Sequence, residues 1–163
     1  MRRTGSARPN PATTGAGLPT VVDMSEPFSV RIDADVVDRL RRLAALHPGT
    51  TESGLAQRLV DEGLRQAEHP GIVFRDGPAG RRAALACGPD VWEVVRALRE
   101  LDDRGDAAVS AAAELLHLSP AHIRTAIRYY VAFTREIDAE VTEADTASAE
   151  AEAAWRAEQR TPG

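Results

Sequence analysis

The sequence predicts a mostly α-helical chain that carries one short N-terminal strand and one β-hairpin. Three observations point to this class. Apolar residues recur at helical spacing in most stretches between residues 35 and 130. Phe28-Ser29-Val30-Arg31-Ile32-Asp33 alternates apolar and polar residues, the period of a half-buried strand. Aromatic residues make up only 4 % of the chain, so the core must come from Ala, Val, Leu and Ile.

The 163 residues suffice for one domain or two small ones, and 43 % hydrophobic content is enough for a packed core. All 20 basic residues are arginine, and the net charge is −5. That balance excludes a uniformly basic nucleic-acid binder but leaves room for a local basic face. Residues 1–26 sum to +1, 27–68 to −1, 69–133 to zero and 134–163 to −5, so the acidity lies in the C-terminal segment. Apolar runs fall short of the ~18 residues that read as a membrane span. No apolar stretch follows Met1-Arg2-Arg3, so no signal peptide is expected. The single cysteine, Cys87, fits a reducing cytoplasm and reads as a small packed side chain.

Residues 1–26 carry Gly, Pro, Thr and Ser without an apolar period and read as disordered, with Met24 as a candidate translation start. In the alternating stretch, Phe28, Val30 and Ile32 share one face, and Ser29, Arg31 and Asp33 the other. Val36, Val37, Leu40, Leu43 and Ala44 then follow a helical period, with Asp33 or Asp35 as N-cap. Pro48-Gly49 stops that helix, and Thr50 or Thr51 caps the next, with a stripe of Leu55, Leu59, Val60 and Leu64. A lone strand cannot satisfy its own backbone groups. Pairing with the same strand of a second chain is the economical solution, giving a two-fold homodimer.

Residues 27–67 therefore resemble the ribbon-helix-helix repressors of the CopG/Arc/MetJ class. The resemblance rests on Ser29-Val30-Arg31-Ile32-Asp33, the helix from Asp35 to Leu46, the Pro48-Gly49-Thr50-Thr51 turn, and Glu52 to Arg65. It implies a two-stranded ribbon in the major groove of a double-stranded DNA operator. Ser29 and Arg31 would read bases, and Thr50 and Thr51 would hold a phosphate at a helix N-terminus. Pro27 and Asp33 depart from that pattern, since one offers no donor and the other repels phosphate. A module that only dimerises the chain remains the alternative.

In residues 69–133, Gly71–Arg75 and Arg82–Ala86 flank Asp76-Gly77-Pro78-Ala79-Gly80 and read as a hairpin, with Arg75, Arg81 and Arg82 near phosphate or simply solvated. A helix is expected from Pro89-Asp90 to about Arg104, with Val91, Val94, Val95, Leu98 and Leu101 inward and Trp92 as an anchor. A short helix then ends near His117, where glycine is usual. Ser119 caps the next helix and Pro120 opens it. Ile123, Ile127 and Tyr130 are expected inward. Ser119, His122, Arg124, Thr125 and Arg128 form the candidate DNA face of what resembles a helix-turn-helix. His69–Arg75, Gly88–Val95 and this helix pair together resemble the small domain of unknown function found in VapB-like antitoxins.

Residues 134–163 have too few apolar groups for a core and read as a frayed acidic helix that orders on a partner. Ile137, Val141, Trp155 and Arg156 are the candidate partner contacts. No G-x-S-x-G, P-loop or dinucleotide fingerprint occurs, and no His or Cys spacing suits zinc, so neither enzyme activity nor a metal or other cofactor is expected. The resemblances imply the DNA-binding antitoxin of a type II toxin–antitoxin pair. It would repress its own operon and neutralise a PIN-type ribonuclease, whose acidic metal site Arg156 or Arg160 would block. The alternative is a stand-alone dimeric repressor.

Overall fold

A computed structural model describes residues 30–47 and 49–160; Phe28, Ser29, Met24 and the rest of the N-terminal segment lie outside the described residues. Six helices and one antiparallel hairpin follow in order. They are α1 (Ala34–Ala45), α2 (Glu52–Glu68), β1 (Ile72–Gly77), β2 (Gly80–Leu85), α3 (Val91–Glu100), α4 (Asp106–Leu115), α5 (Pro120–Ala132) and α6 (Thr134–Gln159). The mostly helical class and the hairpin are as expected. The ribbon is not shown: residues 30–33 form no strand and pair with none among the described residues.

The first two helices form a hairpin of their own. Asp33 occupies the α1 N-cap position without a side-chain cap bond, whereas Thr51 accepts from the Gly54 N–H at 3.0 Å and caps α2. Gly49 takes φ +87 between them, a conformation that strains any other L-residue. Only Ala44 and Leu55 of this pair are buried apolar residues, because α1 packs on α2 and on no other described element.

The rest of the described chain shares one core. Ile72, Leu85, Val91, Val94, Ile123, Tyr129 and Ile137 are at most 2 % exposed within it. In the sheet, Ile72 pairs with Leu85 and Gly77 with Gly80, leaving Pro78-Ala79 as a two-residue loop. The Asp90 N–H donates to the Glu93 carboxylate at 2.8 Å, which fixes the start of α3.

Helix α3 ends at Glu100, earlier than the expected Arg104. Leu101 turns extended (φ −83, ψ 140), and Asp102 and Asp103 would place negative charge at the negative end of a longer helix. On α5 the inward residues are Ile123, Ala126 and Tyr129, while Ile127 and Tyr130 are only half-buried. Cys87 is exposed rather than packed.

The acidic segment differs most from expectation. It is a 26-residue helix whose first half belongs to the core: Ile137 is 0 % and Val141 4 % exposed. Their assignment as partner contacts is therefore corrected, since they face the chain's own interior. Acid–arginine pairs extend that docking beyond the two apolar anchors. Glu136 binds Arg65, Asp138 binds Arg99, Glu143 binds Arg82 and Asp145 binds Arg96. No described helix is long and apolar enough to cross a membrane.

Candidate nucleic-acid interface

Helices α4 and α5 are joined by four residues, Leu116 to Ser119, a length suited to a helix-turn-helix. The turn closes by backbone bonds. The Leu118 N–H donates to the Ala113 carbonyl at 2.9 Å, and the His117 N–H to the Glu114 carbonyl at 3.3 Å. This double closure is the Schellman motif, which places its pivot residue in left-handed backbone. The pivot is His117, at φ 54, the only described non-glycine residue with positive φ. Histidine tolerates that region better than β-branched residues do.

The start of α5 is built as expected. The Ser119 hydroxyl accepts from the His122 N–H at 3.3 Å, and Pro120 stands at the first helical position, where its missing N–H costs nothing. Ile123, Ala126 and Tyr129 anchor one face of α5 in the core, and α3, α4 and α5 each pack on the other two. The opposite face is thereby held outward on a rigid scaffold. Ala121, His122, Arg124 and Arg128 are exposed on it, and Thr125 is half-buried.

These side chains are not equally free. Arg124 donates to Asp106 at 2.9 Å, across the helix pair. Arg128 donates to the Thr125 hydroxyl at 2.9 Å and pairs with no carboxylate among the described residues. The Thr125 hydroxyl in turn donates to the Ala121 carbonyl at 3.1 Å. Arg128 is thus a cation held by a neighbouring hydroxyl and not by a described carboxylate. Arg124 must exchange a solvent-exposed ion pair before it can meet a phosphate, and such a pair is worth only ~0–1 kcal/mol.

The other predicted DNA residues stand apart from this face. Arg31 is exposed ahead of α1, Thr50 and Thr51 lie in the α1–α2 turn, and Ser29 is outside the described residues. The α1–α2 pair reaches the remainder through α2 alone, so the structure does not gather the two predicted DNA sets into one surface. The hairpin arginines are occupied. Arg81 binds Glu62 through Nε and Nη2 at 2.6 and 2.8 Å, and Arg82 binds Glu143 at 2.6 Å. The Glu62 hydrogen bonds raise the Arg81 pKa against the opposing effect of burial. Arg75 donates to the Gly88 carbonyl at 2.6 Å.

Two features had no sequence counterpart. The first is a hub at Arg65. This residue binds Glu136 at 2.8 Å and the Tyr129 hydroxyl at 3.0 Å, and its guanidinium lies 4.2 Å from the Phe133 ring centroid. Burial disfavours its charge, but the bonds to Glu136 and Tyr129 prevail and raise its pKa. Burial pushes the Tyr129 phenol up to about 12, partly offset by the bond from Arg65. The second is an apolar groove of about 540 Å³ between α1 and α2 that no other described element covers. Val36, Leu40, Leu43, Leu46 and Leu59 line it, flanked by Arg39 and Arg42. Trp155 is 59 % exposed far along α6, and Arg156 pairs with Glu152 one turn away. No group of three or more potential metal ligands occurs among the described residues.

No known family model, characterised protein or solved structure matches the chain.

Proposed function

We propose that the chain is a dimeric DNA-binding regulator, the antitoxin of a toxin–antitoxin pair that represses its own operon in the cytoplasm. The α4–α5 unit carries this reading. Its Schellman turn at His117 and its Ser119-Pro120 start hold the outer face of α5 clear of the body, with Arg128 exposed on it and its side chain bonded only to Thr125 among the described residues. That face suits a recognition helix in the major groove. The uncovered α1–α2 groove supports dimerisation, since a second copy would bury Leu43, Leu46 and Leu59 and pair the segment around Val30 and Ile32 with its twin. Arg31, Thr50 and Thr51 would then add base and phosphate contacts. The distal part of α6, with Trp155 and Arg156, would engage a toxin such as a PIN-type ribonuclease.

One observation favours the alternative of a stand-alone dimeric repressor. Half of the acidic helix is used internally, with Ile137 and Val141 in the core, so less of it is left for a partner. Truncation separates the two readings if the cut respects that core. Chain ending after Ala149 keeps the docked half and should remain folded, dimeric and able to bind the DNA upstream of its own gene. If it also loses the complex with the adjacent gene product that the full chain forms, the antitoxin reading stands. If neither form binds that product, the repressor reading replaces it. If neither binds the upstream DNA, both fail.

A further inference from the structure

Within the seam where α6 lies on the body, Glu140 is the one acidic side chain without a cationic partner of its own. Its neighbours along the helix, Glu136 and Glu143, take Arg65 and Arg82. Its Oε2 is fully buried and accepts no hydrogen bond, one of three such buried side-chain atoms among the described residues. A buried oxygen of this kind is costly as an anion and much less so as part of a neutral acid. We propose that the seam is a proton-linked latch, in which a protonated Glu140 lets α6 lie on the body and an ionised Glu140 loosens it.

The charges around Glu140 come from every side of the seam. Arg82 of β2 favours its ionised form, but Arg82 is committed to Glu143 at 2.6 Å. Asp90 at the start of α3, and Glu136 and Glu143 on α6 itself, oppose ionisation. From α5 the Tyr129 phenol faces it, held neutral by burial and bonded to Arg65 of α2. Burial first, and then these acids, push Glu140 up to about 7, against an ordinary value of 4.5.

The docked form therefore binds the proton more tightly than the released form. Docking is strongest below about pH 4.5, weakens as pH rises from there to about 7, and changes no further above that. The side chain is partly exposed, so solvent moderates the effect, and the docked-to-released ratio should fall roughly ten- to a hundredfold over the window. Release frees Arg82 and Arg96 from Glu143 and Asp145, so the charge presented by that face of the body changes with pH.

Amide hydrogen exchange of α6 in the full-length protein, corrected for intrinsic rates, tests the latch between pH 5 and 8. Wild-type protection over residues 137–147 should fall with rising pH. Glu140→Gln should abolish that dependence and be better protected at pH 8, by roughly tenfold or more. Glu140→Ala, which also removes the charge, should be equally flat, so the result does not hang on how Gln packs. Glu143→Gln frees Arg82 and removes one repelling charge, so the midpoint should move to lower pH by roughly one unit. A wild-type profile that is flat, or one that Glu140→Gln and Glu140→Ala leave unchanged, overturns the proposal. So does an unmoved midpoint in Glu143→Gln.

Discussion

The α1–α2 hairpin and the body that follows it are made from the same residue types, yet they reach opposite outcomes. The body buries Val, Ile, Leu and Ala from β1 through α6 in one cluster. The hairpin has comparable apolar residues in sequence, but leaves Leu43 38 %, Leu46 74 % and Val60 62 % exposed. The difference is geometric. Six elements can enclose a volume, whereas two helices side by side have one contact line and two outer faces. Ordering a residue costs ~1–2 kcal/mol in backbone entropy, and burying one leucine returns only ~2 kcal/mol. A pair of helices burying little beyond Ala44 and Leu55 does not stand on that balance. It needs α2's attachment to the body, a second chain, or both.

The largest expected effect tests the body. Ile137→Ala should lower its stability by ~2–5 kcal/mol, read as a shift of the urea unfolding midpoint. A change below about 0.5 kcal/mol would mean that α6 is a detachable arm after all. Next comes the hairpin. Leu43→Asp combined with Leu46→Asp should turn a dimer into a monomer by light scattering at micromolar concentration, while the body keeps its thermal transition. A protein that is monomeric before the change would assign the whole support of α1 to α2.

Smaller still is the joint between the regions. Arg65→Ala leaves Glu136 and the Tyr129 hydroxyl without their donor and should cost ~1–3 kcal/mol. Proteolysis should then cut within α1–α2 before it cuts the body. Last is the outer face of α5, the proposed recognition face. Arg128→Ala should lower affinity for the upstream DNA about equally for all sequences and reduce the salt slope by ~1. Arg124→Ala should do less, because Asp106 already competes for its charge.

What could be read from sequence follows the same division. Helices with a clear stripe, the Pro78-Ala79 loop region and the Ser119-Pro120 start were legible because local chemistry decides them. The seam was not. Arg65 and Glu136 are 71 residues apart, and Arg82 and Glu143 are 61 apart, so no local pattern links them. With only Ile137 and Val141 as apolar anchors, α6 carries too weak a stripe to announce its own burial. Tyr130 was expected inward and does pack against the core, but the fully buried Tyr129 was missed for a related reason. Apolar residues on α5 run nearly around the helix, and only its packing against neighbouring elements decides which tyrosine is buried most deeply. Cys87 was misjudged because the turn after β2 keeps it at the surface.

Helix α2 joins the body through a three-residue turn, His69 to Gly71, and its last turns are gripped at two points, Glu62 by Arg81 and Arg65 by Glu136. A rod held in this way transmits orientation. Its 17 residues span ~25 Å. If two copies join through their N-terminal hairpins, each rod acts as a ruler that sets how far apart, and at what mutual angle, the two α5 faces lie. The separation of paired half-sites on a duplex would then be written into the length of one helix, and inserting a single residue ahead of Glu62 would turn each hairpin by ~100° relative to its body.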